Sequence, residues 1–415
     1  MKYLSIFNWL NKFLEKNHMS SLYLPSKKIS RLILSKYFVV CVVLAFCAGI
    51  FSVFVGYLIQ NNIEFLRDAR ISGFFVPDAV ALKDLVLIYW ETRPELDVTW
   101  IPIIGVMLLY VEGWFFGSLS VCFVNVILIV VATGYFFKLM EEFVNKKEYF
   151  LLIFVFVLVS VVGNGYLIEV MVFPNKEIPL LAITNAFVYY LLVRRNYFVA
   201  TILSLVALAF RDGFGLILIC CLLAVWFLLG RSVRVRVFLL LSVVMLLILF
   251  PVSELVGFGN IFERNINAAF EIDAGVNSNG YLGRLTYNVF SLGVLNSFIT
   301  DHGYIDILSF GYWQFGVFVI SGVFWAVKRI LTAGGDAEVG ISVVIIIAIL
   351  CVSYGSYIQP RYMMPLFYFL AFGFVRCMRC AAGAILFSIL IPVFLFLSGA
   401  APVASEWVGD ASWFW

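Results

Sequence analysis

The stretch YFVATILSLVALAFRDGFGLILICCLLAVWFLLG, residues 197–230, decides how this chain is read. It is apolar throughout except at Arg211-Asp212-Gly213, which splits it into two runs of helical length. A charge in the middle of a membrane-spanning helix costs up to about 3 kcal/mol on insertion scales. The triplet therefore reads as a turn between two helices, or as a functional site held at their ends. Pro77-Asp78, Asn175-Lys176-Glu177, Asp301-His302 and Gln359-Pro360-Arg361-Tyr362 interrupt apolar sequence in the same way. One count of loop charges places all of these clusters on a single side of a membrane.

Composition supports that setting. Of 415 residues, 63% are hydrophobic and 13% charged, too little polar surface to cover a water-soluble core of this size. The expected fold class is all-α, a polytopic membrane helix bundle, with residues 1–415 forming a single integral membrane domain. The net charge of +3 identifies no partner. No basic stripe is interleaved with exposed aromatics, so nucleic acid is not an expected partner. The cysteines lie in or beside apolar runs without metal-site spacing and read as small apolar residues. The first apolar run, residues 37–60, is too long and too far from Met1 for a cleavable signal.

Spans need about 20 apolar residues. They are expected near 37–60, 115–138, 149–168, 176–193, 197–211, 214–230, 236–254, 311–327, 339–358, 362–376 and 382–400, about eleven in all. The runs 197–211 and 362–376 are short, which suits helices that stop at a cavity. Basic residues sort by side. Lys138, Lys146 and Lys147, then Arg194 and Arg195, then Arg231, Arg234 and Arg236, then Lys328 and Arg329, then Arg376 and Arg379 fall on the side of the basic N-terminal tail. That side is expected to be cytoplasmic. Counting residues 101–113 as a full span would move Lys146 and Lys147 outside, so that segment reads as interfacial or re-entrant. Residues 1–36 place Leu4, Phe7, Leu10, Phe13 and Leu14 at helical spacing beside lysines, and read as a cytoplasmic amphipathic tail or, equally, a partly disordered one. Two longer external segments remain, 61–114 and 255–310.

The external clusters carry the candidate chemistry. Asp78 follows Pro77, which fixes a turn; it is either a solvated loop charge or a general base toward a sugar hydroxyl. Glu177 at a helix start suits the dipole and can be a simple cap, whereas a cation at Lys176 is disfavoured there without an anion. Arg211 either pairs with Asp212 in a tight turn or forks onto a phosphate, and Arg361 stands similarly after Pro360. Lys176, Arg211 and Arg361, with Arg284 as a further member, form the expected pyrophosphate site. His302 is the histidine on the external side and with Asp301 is a second candidate for proton transfer. No Walker motif, dinucleotide loop, HExxH or paired-cysteine site is present, and no cofactor or metal is expected.

Four stretches together resemble the oligosaccharide repeat-unit polymerases of bacterial surface polysaccharide assembly (Wzy-type) and, more distantly, the GT-C membrane glycosyltransferases. Pro77-Asp78 looks like the acidic element of their first external segment. Asn175-Lys176-Glu177 followed by Arg211 resembles a Lys-acid…Arg spacing in polysaccharide polymerases. Asp301-His302-Gly303-Tyr304-Ile305-Asp306 is similar to an Asp-x-x-Tyr-Leu stretch, and Gln359-Pro360-Arg361-Tyr362 with Pro365 to an Arg-Tyr-x-x-Pro element. The second external segment departs from the family in being smaller and less basic.

The resemblance implies a GT-C-like bundle in the bacterial cytoplasmic membrane, with the N-terminus cytoplasmic and the active site external. It implies transfer of a glycan from undecaprenyl pyrophosphate to a sugar hydroxyl of another lipid-linked repeat, with a chain-length regulator as protein partner. Asp78, His302 or Asp301 would be the base. Glu177, Asp212, Tyr304 and Tyr362 would contact substrate. A GT-C enzyme using a polyprenyl-phosphate sugar and a lipid or anion transporter are the alternatives.

Overall fold

A computed structural model describes residues 36–61, 105–106, 108–110, 118–141, 167, 170–171, 174–249, 285, 289, 307–332, 336–355, 360–377, 383, 385–386 and 390. The described elements are helices, with no strand among the described residues. They are α1 (Lys36–Asn61), α2 (Ser118–Met140), α3 (Glu177–Leu192), α4 (Tyr197–Leu208), α5 (Asp212–Leu228) and α6 (Val233–Leu249). Then follow α7 (Ile307–Leu331), α8 (Asp336–Gly355), the short α9 (Pro360–Met363), a 3₁₀ turn (Met364–Leu366) and α10 (Phe367–Arg376). Two compact units divide the chain, Met1–Val40 and Cys41–Trp415. Nearly all of the amphipathic tail, most of both external segments, and most of the spans expected at 149–168 and 382–400 lie outside the described residues.

Helix boundaries follow local chemistry. The Asn196 side chain accepts the amide of Val199 at 3.2 Å and caps α4. Gly230, with φ of 74°, ends α5 in the left-handed region that glycine enters without a side-chain clash. Pro360 opens α9, where its missing N–H is no loss.

The core of these helices is apolar, and apolar side chains also line their outer faces. Val43, Phe46, Ile50 and Phe54 form an exposed stripe along α1, and Leu119, Phe123, Ile127 and Val131 form one along α2. The first recurs at steps of three and four residues and the second at steps of four, each along one helix face. Small polar residues also lie inside. Thr133, Thr184, Ser204, Ser342 and Ser353 are fully buried, each donating to the carbonyl four residues back at 2.6–3.0 Å. Such back-bonding satisfies a hydroxyl without water. Glycines allow close approach: a Cβ on Gly373 of α10 would lie 2.8 Å from the Gly322 Cα of α7.

Two described helices, Leu119–Met140 and Asp336–Ser353, are long and apolar enough to cross a membrane. The expectation of about eleven spans is therefore met only in part among the described residues. Several apolar helices are short: α4, with 12 residues, rises about 18 Å, against a hydrocarbon core of about 30 Å. Cys377, expected to be a small apolar residue, is disulfide-bonded.

Contacts fix which helix ends lie together. The links 193–196, 209–211 and 229–232 reverse direction between α3, α4, α5 and α6. A Cβ on Gly340, near the start of α8, would meet Leu192 at the end of α3 at 2.4 Å. Glu338 of α8 pairs with Arg329 of α7 at 3.2 Å and with Arg376 of α10 at 3.5 Å. Phe136, near the end of α2, packs on Phe372 of α10. These contacts gather Lys138, Arg194, Arg231, Arg329 and Arg376 at one end of the helices. The starts of α3, α5 and α9, with Lys176, Arg211 and Arg361, fall at the other.

Candidate functional site

The two cation-bearing turns at that second end meet directly. Arg211 precedes α5 in an extended conformation, and its carbonyl accepts the amides of Phe214 and Gly215 at 3.1 and 3.2 Å. The extended backbone carries its side chain toward α9, where the guanidinium carbon stands 4.3 Å from the Tyr362 ring centroid. Within about 6 Å of a ring face, a guanidinium is held by the ring quadrupole. Gly215 makes the turn tight: a Cβ there would sit 2.5 Å from the Leu208 Cγ. Arg361 is the neighbour of Tyr362 in α9, and Asp212 opens α5.

The start of α3 is built differently from its sequence expectation. Asn175 Oδ1 accepts the Ile178 amide at 2.8 Å, and the Lys176 amide donates to Glu177 Oε2 at 3.0 Å. Two amides that an anion would use therefore already have acceptors, and Pro179 has none to give. Glu177 acts here as a cap, the simpler of its two expected roles, and is 8% exposed. The cradle of backbone amides expected beside Lys176 is thus largely occupied from within the chain.

Beneath this turn lies a polar network that sequence reading missed. Asn125, fully buried in α2, accepts from the Tyr110 hydroxyl at 2.6 Å and donates to the Met171 carbonyl at 2.9 Å. Asn175 Nδ2 donates to the Val170 carbonyl at 2.8 Å and reaches Asn125 Oδ1 at 3.4 Å. The backbone around 170–171, the Asn175 turn and α2 are locked to one another at helix depth. The available signal was Asn125 itself, an amide inside an otherwise apolar run. The segment 105–110 reaches the same end: the Gly105 amide donates to the Ala209 carbonyl, beside the Arg211 turn, at 2.8 Å.

Among the expected site residues, Arg211 and Tyr362 are brought together, and Lys176 and Glu177 stand at the same end of the helices. Asp78, Arg284, Asp301, His302 and Tyr304 lie outside the described residues, and for Asp212 and Arg361 the backbone alone is described. Among the described residues no group of His, Cys, Asp and Glu could hold a metal ion. No protein-family model, curated protein or solved structure matches the chain.

Proposed function

We propose that the chain is a polytopic glycosyltransferase of the bacterial inner membrane that polymerises oligosaccharide repeat units carried on undecaprenyl pyrophosphate. The observation that carries this reading is the Arg211–Tyr362 stack, which joins the Arg211 turn to the helix start whose sequence carries Arg361. A diphosphate leaving group needs more than one cation, and Lys176 at the same end of the helices supplies a third.

The apolar stripes on the outer faces of the helices, with buried hydroxyls bonded to their own helix, support the bilayer setting. The gathering of loop arginines at the opposite end supports a cytoplasmic face there. With Asn196 at that face, the short α4 leaves the Arg211 turn recessed below the outer surface. A recessed, partly dry site strengthens cation–phosphate attraction.

In the reaction, the acceptor hydroxyl oxygen bonds to the anomeric carbon as the anomeric C–O bond to the pyrophosphate breaks. Arg211 and Arg361 stabilise the charge developing on the leaving diphosphate. The hydroxyl proton passes to a carboxylate or imidazole, for which Asp78, Asp301 and His302 are the candidates. The donor carries its own activated bond, so nucleotide is not consumed. Arg211 caps a helix rather than interrupting one, which favours transfer at a rim over transport through the midplane. A GT-C enzyme taking a polyprenyl-phosphate sugar would use the same cations. The test is incubation of the purified full-length chain with a polyprenyl-pyrophosphate-linked repeat unit. A ladder of products supports polymerisation, and addition of one sugar from a monophosphate donor supports the alternative.

A further inference from the structure

At the other end of α5, the turn into α6 holds a guanidinium with no counter-charge among the described residues. Arg236 stands in the first turn of α6, where the helix dipole disfavours a cation. It is 9% exposed, and its Nε donates to the Arg231 carbonyl at 2.9 Å. Its Nη1 is buried with no hydrogen-bond acceptor. Among the described residues, no carboxylate pairs with it. A buried guanidinium donor without an acceptor suits an anion.

The surroundings say which anion. Arg231 and Arg234 are exposed on the same turn and add charge of the same sign. Apolar side chains flank them: Val235 and Phe238 are 41% and 69% exposed, and Trp226 packs edge-on to Phe227 at 4.6 Å. A tryptophan next to basic residues at a helix end marks the membrane–water boundary. Free phosphate would gain nothing from those apolar faces, whereas acyl chains would lie along them.

We propose that the α5–α6 turn binds an anionic phospholipid, with the headgroup phosphodiester on Arg236, Arg231 and Arg234 and the acyl chains along Phe238 and Trp226. Basic pockets between helices on the cytoplasmic side suit such headgroups. This site shares the bilayer setting with the polymerase reading but none of its residues, and stands if that reading fails.

The test uses the full-length chain in neutral detergent, titrated separately with phosphatidylglycerol, phosphatidylcholine and inorganic phosphate. Retained lipid is counted by native mass spectrometry and stability followed by thermal unfolding. Phosphatidylglycerol is expected to be retained and to raise the unfolding temperature, with phosphatidylcholine and phosphate doing neither. Arg236→Gln should weaken retention about fivefold or more, the effect of one basic residue near an anionic surface. The joint Arg231→Gln and Arg234→Gln change, on exposed positions, should do the same and keeps the test open should Arg236→Gln fail to fold. Arg195→Gln, on a different turn, should change nothing. Equal retention of both lipids, stabilisation by phosphate alone, or unchanged retention in a folded Arg236→Gln or double variant would overturn the site.

Discussion

Arg211 and Tyr362 belong to helix starts far apart in sequence, yet the guanidinium carbon of one lies 4.3 Å from the ring centroid of the other. The contact holds the guanidinium over an aromatic face and so fixes where the cation sits.

The first prediction separates the ring from its hydroxyl. Tyr362→Phe keeps the quadrupole and should leave polymer formation within about twofold of the parent. Tyr362→Leu removes a contact of about 0.5–2 kcal/mol and should lower turnover by about threefold to thirtyfold. Arg211→Ala should abolish ladders while single-repeat lipid persists. Gel analysis of lipid-linked products reads all three, and normal chain lengths in Arg211→Ala would remove the diphosphate role.

Asn125 supports the Lys176 turn from below, so its loss should be felt in stability first. Asn125→Ala deprives the Tyr110 hydroxyl and Asn175 of a buried partner, at a cost of about 1–3 kcal/mol. Thermal unfolding in detergent should fall accordingly. Tyr110→Phe removes one donor from the same network and should cost less. Equal stability in Asn125→Ala and the parent would show that the amide contributes nothing there.

The helices were legible because apolar runs are broken by residues with a local reason to break them: Asn196 caps, Gly230 turns, Pro360 starts. The Arg211 turn was legible for the same reason, as charge where charge is costly. Its partner was harder to see, because nothing in Gln359-Pro360-Arg361-Tyr362 says that the aromatic ring, rather than the neighbouring arginine, meets Arg211. The Asn125 network was not read because a single amide in an apolar run carries no periodicity pointing to partners around Val170 and Asn175. Around Lys176 the sequence did not say that the Asn175 and Glu177 side chains would accept the Ile178 and Lys176 amides.

Glu338 ties three helix ends together, pairing with Arg329 and Arg376 while itself only 9% exposed. Glu338→Ala would leave two arginines facing each other across a half-buried gap. A loss of about 1–3 kcal/mol is expected, between the values for exposed and buried pairs. Glu338→Asp, which keeps the charge on a shorter stem, should recover part of it. Unfolding temperatures that ignore both changes would make the cluster incidental.

The sidedness of the helix ends is the remaining consequence, and it is independent of catalysis. Lys176 and Ser232 lie at opposite ends of the helices, joined through the reversals at 193–196, 209–211 and 229–232. In a cysteine-free background, Lys176→Cys should react with a membrane-impermeant maleimide on intact cells. Ser232→Cys, exposed beside Arg231, should react only after permeabilisation. The expected contrast is nearly all-or-none, because the reagent cannot cross a hydrocarbon core of about 30 Å. Labelling of both positions from outside would mean that α3 does not carry the chain from one face to the other, since α4 and α5 run out and back. The recessed cation site would then lose its bilayer, and with it the reason for charges at these turns to grip a lipid-borne diphosphate.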